Sequence, residues 1–235
     1  MIDPDEPLGS LLSPSLVDYP GHVACVLFLP GCNLFCPYCY NKGLVIPPFD
    51  KEKFISFNQL LSHLNKRKNV IQHLVITGGE ALLNSNLKEI IIQTKKIGLK
   101  IKLDTNGQLP QKLKEIINNP ETKPDYIALD VKTTPKNYSA LKGSSQKIIE
   151  TLNILKSLPS ENYEIRTVLV PPLVNKENIS EIAEYLPENA NWFFARFINE
   201  NCINPEYSKI LPYTENENRE IVEAASKIIK NSFLR

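Results

Sequence analysis

Short apolar runs alternate with helix-period segments along almost the whole chain, and this alternation limits the possible folds more than any other feature. Six runs read as strands: 23–29, 73–77, 100–104, 126–131, 164–170 and 192–197. They are short, β-branched or aromatic, and mostly lack polar alternation, as strands covered on both faces do. Six segments read as helices: 57–67, 87–97, 109–118, 146–158, 179–186 and 215–230. Ser56 is placed to cap the first of these, and Gly98 to end the second. Pro120, Pro159 and Pro187 stop the next three, while Thr214 and Glu217 have the spacing of a capping box. Strands alternating with helices imply a parallel α/β sheet with right-handed crossovers. The pattern alone fits an open doubly wound sheet as well as an incomplete barrel.

The 235 residues suffice for one domain, or two small ones, with a core that needs no disulfides. Lys plus Arg is 27 and Asp plus Glu is 26, a balance that argues against a dedicated nucleic-acid binder. No apolar stretch approaches the ~20 residues of a membrane helix. The beginning of the chain is acidic and proline-rich, unlike a secretory signal. A cytoplasmic protein with no nucleic-acid or membrane partner is the expectation.

In either α/β architecture, function sits at the C-terminal ends of the strands. The first strand runs into Pro30–Cys39, the second into Thr77-Gly-Gly-Glu80, the third into Asp104-Thr-Asn-Gly107 and the fourth into Asp130-Val-Lys132, while the fifth carries Arg166. Only nine glycines occur, and Gly21, Gly31, Gly78, Gly79 and Gly107 lie in or beside these segments.

Cysteine is the sharpest chemical signal. There are five, an odd number, and Cys32, Cys36 and Cys39 fall in one short loop. Such clustering is a poor disulfide framework and reads as a metal or redox site. Soft thiolates select iron–sulfur clusters, zinc or copper. A four-iron cube normally takes four thiolates, so three leave one iron open to another ligand. A closed zinc site would need a fourth ligand, for which His22 and Cys202 are the candidates.

Cys32-x3-Cys36-x2-Cys39, with Tyr38 before the third cysteine, resembles the cluster loop of radical S-adenosylmethionine enzymes. Ser15-Leu-Val-Asp-Tyr-Pro-Gly21 followed by a strand and Gly31-Cys32-Asn33 resembles the entry of glycyl-radical-enzyme activases. Asp104–Gly107, Ala128–Lys132 and Tyr163–Val168 fit the same group. The resemblance spans 12–197 and is strongest to the activating proteins of anaerobic (class III) ribonucleoside-triphosphate reductase; pyruvate formate-lyase activating enzymes are similar at the same points.

The resemblance implies an α/β fold, an incomplete (β/α)6 barrel of parallel strands. It would be a single domain over 1–235: a lead-in over 1–21, the barrel core over 22–197 and a C-terminal segment over 198–235. It implies that Cys32, Cys36 and Cys39 hold a [4Fe–4S] cluster whose open iron chelates S-adenosylmethionine. Tyr38 would lie near the adenine or serve as a packing aromatic. Gly78 and Gly79 would leave room for the cofactor to meet backbone, and Glu80 would accept from its ammonium. Asp104 and Asp130 would share a monovalent cation, and Asn106 and Lys132 would reach the ribose or carboxylate. Arg166 would face either the cofactor carboxylate or a salt-bridge partner, Asp130 or Glu80. Ala81 stands where the family usually has proline, and Tyr40 where some activases have histidine.

The implied activity is reductive cleavage of S-adenosylmethionine and abstraction of hydrogen from a glycine of a partner enzyme, anaerobic ribonucleotide reductase above all. Flavodoxin or ferredoxin would donate the electron. The rivals are a small-molecule enzyme of the 7-carboxy-7-deazaguanine synthase type, a peptide-modifying maturase and a non-catalytic metal-binding module. His63 and His73 show no cysteine partner, Lys66-Arg67-Lys68 reads as a solvated helix end, Cys25 as a buried small hydrophobe, and Cys202 has no assigned chemistry.

Overall fold

The structure, a computed structural model, describes residues 3–235. Their contacts divide the chain into two compact units. One comprises 1–32, 43–105 and 111–127; the other comprises 33–42, 106–110 and 128–235.

The first unit begins with strand β1 (Pro7–Tyr19), which pairs antiparallel with β2 (His22–Leu29). The two-residue β3 (Ile55–Ser56) covers the outer edge of β1. Beside β2 run β4 (His73–Gly78) and then β5 (Lys100–Thr105), both parallel, giving the order β3-β1-β2-β4-β5. A short helix α1 (Lys42–Val45) follows the cysteine loop. Helix α2 (Phe57–Arg67) starts where Ser56 accepts from the Gln59 N–H and Gln59 reaches back to the Ser56 N–H. Helix α3 (Leu87–Ile97) ends at Gly98, left-handed at φ 97°. Helix α4 (Pro110–Asn118) leads toward β6 (Tyr126–Asp130).

The second unit carries strands in the order β6-β7-β8-β9, with β7 (Tyr163–Leu169), β8 (Trp192–Arg196) and β9 (Ser232–Leu234) mutually parallel. Helices α5 (Ser145–Lys156), α6 (Ile179–Ala183) and α7 (Glu215–Ser226) intervene. Thr214 and Glu217 form the expected capping box of α7. Trp192 and Phe194 are fully buried on one face of β8, and the indole N–H donates to Thr167 at 2.9 Å.

All six expected strands and six expected helices are present, shifted by a few residues at some ends, and the α/β class with parallel strands holds. Residues 1–21 are more than a lead-in, because most of them form β1. Among the described residues no helix is long and apolar enough to cross a membrane.

Candidate functional site

Leu29 of β2 lies opposite Gly78 of β4, so the turn after β4 starts beside the base of the cysteine loop. The Gly79 N–H donates to the Leu29 carbonyl at 2.9 Å, and the Glu80 N–H to that of Gly31 at 2.8 Å. A Cβ on Gly79 would stand 2.0 Å from the Gly31 carbonyl oxygen. At Gly78, where φ is +122°, it would stand 2.2 Å from the Leu29 oxygen. The space a side chain would take at these glycines is therefore filled by the backbone of residues 29–32. Their observed effect is to let two chain segments touch.

Glu80 is buried, 1% exposed, not the solvated glutamate of an ordinary turn. Its Oε1 accepts from the Leu82 N–H at 3.1 Å and the Thr105 hydroxyl at 2.9 Å. It thereby caps the single turn Ala81–Leu83, which begins at the residue where the family has proline. Asp104 lies at the end of β5 on the same strand face as Lys102, two residues earlier. The Lys102 ammonium sits 2.9 Å from Asp104 Oδ1, with the side chains 1% and 7% exposed. Alternation along β5 could have revealed Lys102, which sequence reasoning passed over.

In the second unit the rest of the cysteine loop is tied to the chain near residue 141 and folded on itself. The Phe35 N–H donates to the Leu141 carbonyl at 2.9 Å, and the Cys39 N–H closes a turn on Cys36 at 3.1 Å. Asn33 joins the candidate residues, since the Asn106 side-chain amide donates to its Oδ1 at 2.9 Å. Asn106 Oδ1 accepts from the Gln108 N–H at 3.0 Å, so Asn106 spans two backbone segments. The ring of Tyr38 packs edge-on against Phe197, as a packing aromatic would, yet its buried hydroxyl has no hydrogen-bond partner among the described residues. Burial pushes that hydroxyl well above the ordinary tyrosine range.

Asp130 ends β6 and meets two cations. Arg166 Nε donates to its Oδ1 at 2.8 Å, and Lys132 Nζ lies 3.3 Å from Oδ2. Of the partners open to Arg166, the structure has Asp130. The Lys132 N–H donates to the Tyr138 hydroxyl at 3.1 Å. Burial alone would push the Asp130 carboxyl up, but Arg166 and Lys132 outweigh it and hold it at about 2. Burial would lower Lys132; the Asp130 charge, with Tyr38 and Cys36 nearby, instead holds it well above the usual lysine range. A carboxyl depressed from about 3.9 stabilises the fold above its unfolded pKa, and that contribution vanishes as pH falls through the folded value. Asp130→Asn should therefore cost about 2 kcal/mol in urea unfolding at pH 7. The gap to the parent should close as pH falls from about 4 toward 2, and a gap that does not close would exclude the ion pair as its source.

No disulfide joins any of the five cysteines. Cys25 is fully buried in β2, with its thiol on the Ser13 hydroxyl at 3.1 Å. His22, one candidate fourth zinc ligand, stacks on His73 at 4.1 Å between ring centroids. It opens β2, whose eight residues carry it roughly 25 Å from the cysteine-loop end of that strand. Among the described residues no three His, Cys, Asp or Glu side chains converge closely enough to share one metal ion.

Comparison with known proteins gives these positions a context. The family model described as the Radical SAM superfamily matches residues 26–186. A glycyl-radical-enzyme activating enzyme, so named, of Methanocaldococcus jannaschii is 28% identical over 97% of this chain and 95% of its own. The pyruvate formate-lyase-activating enzyme of Clostridium pasteurianum is 29% identical over 88% of this chain and 81% of its own. Among solved structures, Escherichia coli QueE superposes with a TM-score of 0.56 at 16% identity, covering 97% of this chain and 92% of that one. The chain belongs to the radical SAM superfamily, whose enzymes use a [4Fe–4S] cluster and S-adenosylmethionine.

Proposed function

We propose that the protein is a glycyl-radical-enzyme activase in which Cys32, Cys36 and Cys39 hold the cluster. The observation that carries this reading is the donor set itself: three cysteines, none in a disulfide, on one loop after the C-terminal end of β2, anchored by backbone bonds. A cube takes each thiolate at a separate iron, and three thiolates leave the fourth iron to a cofactor. When bound, the cluster supplies the electron that cleaves S-adenosylmethionine into methionine and a 5′-deoxyadenosyl radical.

The residues of the chain bind and orient. Glu80, held inward by Leu82 and Thr105, offers a carboxylate to the cofactor ammonium, a charge-assisted contact. The unpartnered Tyr38 hydroxyl is a polar atom available to the adenosine. Gly78 and Gly79 shape the loop base. Asn106 fixes Asn33 inside the cysteine loop. Lys132 and Arg166 present two cations around the one carboxylate of Asp130, a net positive charge that suits a ligand carboxylate.

The monovalent cation proposed for Asp104 and Asp130 has protein competitors, because each carboxylate already faces a lysine or arginine within its own unit. Cofactor affinity is accordingly expected to be the same in potassium, sodium and choline salts, as read by titration calorimetry. A strong preference for one of the metal ions would restore the shared cation.

The partner is anaerobic ribonucleotide reductase, supported by the ordered run of segments from Ser15 to Val168; flavodoxin or ferredoxin supplies the electron, and five cysteines with no disulfide among them suit a cytoplasmic setting. The test is anaerobic reconstitution, a cleavage assay, then electron paramagnetic resonance of a mixture with the reductase. A glycyl doublet is expected; cleavage without the doublet would discard this partner, and no cleavage by a loaded cluster would discard the activity. One observation favours a small-molecule enzyme instead: residues 203 and 204 hydrogen-bond to the cysteine loop, as a C-terminal segment closing a pocket would.

A further inference from the structure

Cys202 was left without chemistry by the sequence, and the structure gives it a neighbour. The chain after β8 is seated on the cysteine loop: the Ile203 N–H donates to the Cys39 carbonyl at 3.0 Å, and the Asn204 N–H to the Pro37 carbonyl at 2.9 Å. Asn201, left-handed at φ 56°, turns the chain immediately before this contact. Cys202 lies between the turn and the first bond, with its side chain buried. Its thiol makes only a 4.0 Å approach to the Ile198 carbonyl, the outer limit for sulfur. Hydrogen-bonded neighbouring chains run about 5 Å apart, and a disulfide asks for a Cα separation of about 4.4–6.8 Å. A bridge between residue 39 and the residue just before its backbone donor therefore needs little movement.

We propose that Cys39 and Cys202 are a redox-modification site, joining as a reversible disulfide when the loop holds no cluster. The oxidant is a peroxide. The sulfur of Cys39, the more exposed of the two, attacks one oxygen of hydrogen peroxide; the O–O bond breaks, and a sulfenic acid and water result. The sulfur of Cys202 then attacks the sulfenic sulfur, the S–S bond forms, and the oxygen leaves as a second water. Two thiols lose two electrons and two protons in total, and the peroxide becomes two waters. The consequence is protection: a loop thiol exposed by cluster loss is stored in a form that a dithiol restores, instead of passing to sulfinic acid. The protective role rests on Cys39 being a cluster ligand, whereas the pairing of the two thiols does not.

The test uses the full chain, stripped of iron anaerobically, treated with one equivalent of hydrogen peroxide, alkylated and digested with trypsin without reductant. Arg196 and Lys209 bound the peptide carrying Cys202, while Cys25, Cys32, Cys36 and Cys39 share the peptide ending at Lys42, so fragment ions must identify the bridged sulfur. A dominant Cys39–Cys202 bridge is expected, with dithiothreitol removing it and restoring iron uptake. Cys202→Ser should load iron as the parent does before oxidation, with an unchanged circular dichroism spectrum, and then lose reloading several-fold more after peroxide. Alkylated Cys202 beside an oxidised Cys39, or a dominant bridge within Cys32, Cys36 and Cys39, would overturn the proposal. Cluster-loaded protein should resist bridging. If it bridges as fast as the stripped protein, Cys39 is not a cluster ligand and that assignment falls, while the pairing stands.

Discussion

A Cys36→Ala chain is expected to leave anaerobic reconstitution without the visible charge-transfer absorption of a cluster and to cleave no S-adenosylmethionine. Two thiolates cannot hold three corners of a cube, and nothing else on the loop is a soft donor. The loss should be chemical rather than structural. Cys36 is buried, but shortening it to alanine removes one sulfur atom, a cost of about 1 kcal/mol. Urea unfolding of the iron-free proteins should then differ little, while bound iron and sulfide fall to background. Cys25→Ala is the matched comparison: a fully buried cysteine of the preceding strand, whose removal should leave loading intact. Cleavage retained by Cys36→Ala, or lost equally in Cys25→Ala, would refute the ligand assignment.

Gly79→Ala should do its damage through the backbone. The added carbon would lie 2.0 Å from the Gly31 carbonyl oxygen and 2.6 Å from its carbon, and neither atom can swing aside as a side chain would. Relief requires moving the turn after β4 away from the loop base, which breaks the bonds from Gly79 to Leu29 and from Glu80 to Gly31. Overpacking of this kind costs about 3 kcal/mol, and the residues that begin the cysteine loop move with it. Both a lower urea midpoint and a lower iron content are expected. Gly43→Ala is the control, since a Cβ there meets nothing within 4 Å and the residue lies in helix α1. It should change stability by less than about 0.5 kcal/mol. An unaltered midpoint in Gly79→Ala would show that the two segments are not in contact.

Caps and strand ends made much of this legible beforehand. Helices α2 and α3 begin and end where Ser56 and Gly98 say they should, because caps are local chemistry written in adjacent residues. Strand β1 was invisible for the opposite reason. It contains Pro7, Gly9 and Pro14, its pairing with β2 shifts register twice, and a bulged strand has no steady period to read. The two- and three-residue β3 and β9 have no period at all. In the site, Asp130 could be read from its place at a strand end and Arg166 as a charge inside an apolar strand, and their ion pair was among the partners foreseen. The lysine beside Asp104 required asking which residues share a face of β5. The bonds of Ile203 and Asn204 to the cysteine loop span about 160 residues of sequence, and no local pattern records them.

That distant fastening has a consequence for the order in which the protein is made. The stretch 33–42, with Cys36 and Cys39, belongs to a unit whose other residues are mostly 128–235. A ribosome adding about 5–20 residues per second finishes Cys39 roughly 10–30 s before it reaches Ile203 and Asn204. During that interval the thiols hang on a strand whose neighbours are only partly made. Iron delivered to the nascent chain would meet flexible thiols, whereas iron delivered after release would meet an anchored loop. The anchored form of the loop thus exists only once residues 203 and 204 are made, and a chain truncated before residue 203 should take up iron poorly even though every thiol of the loop is present.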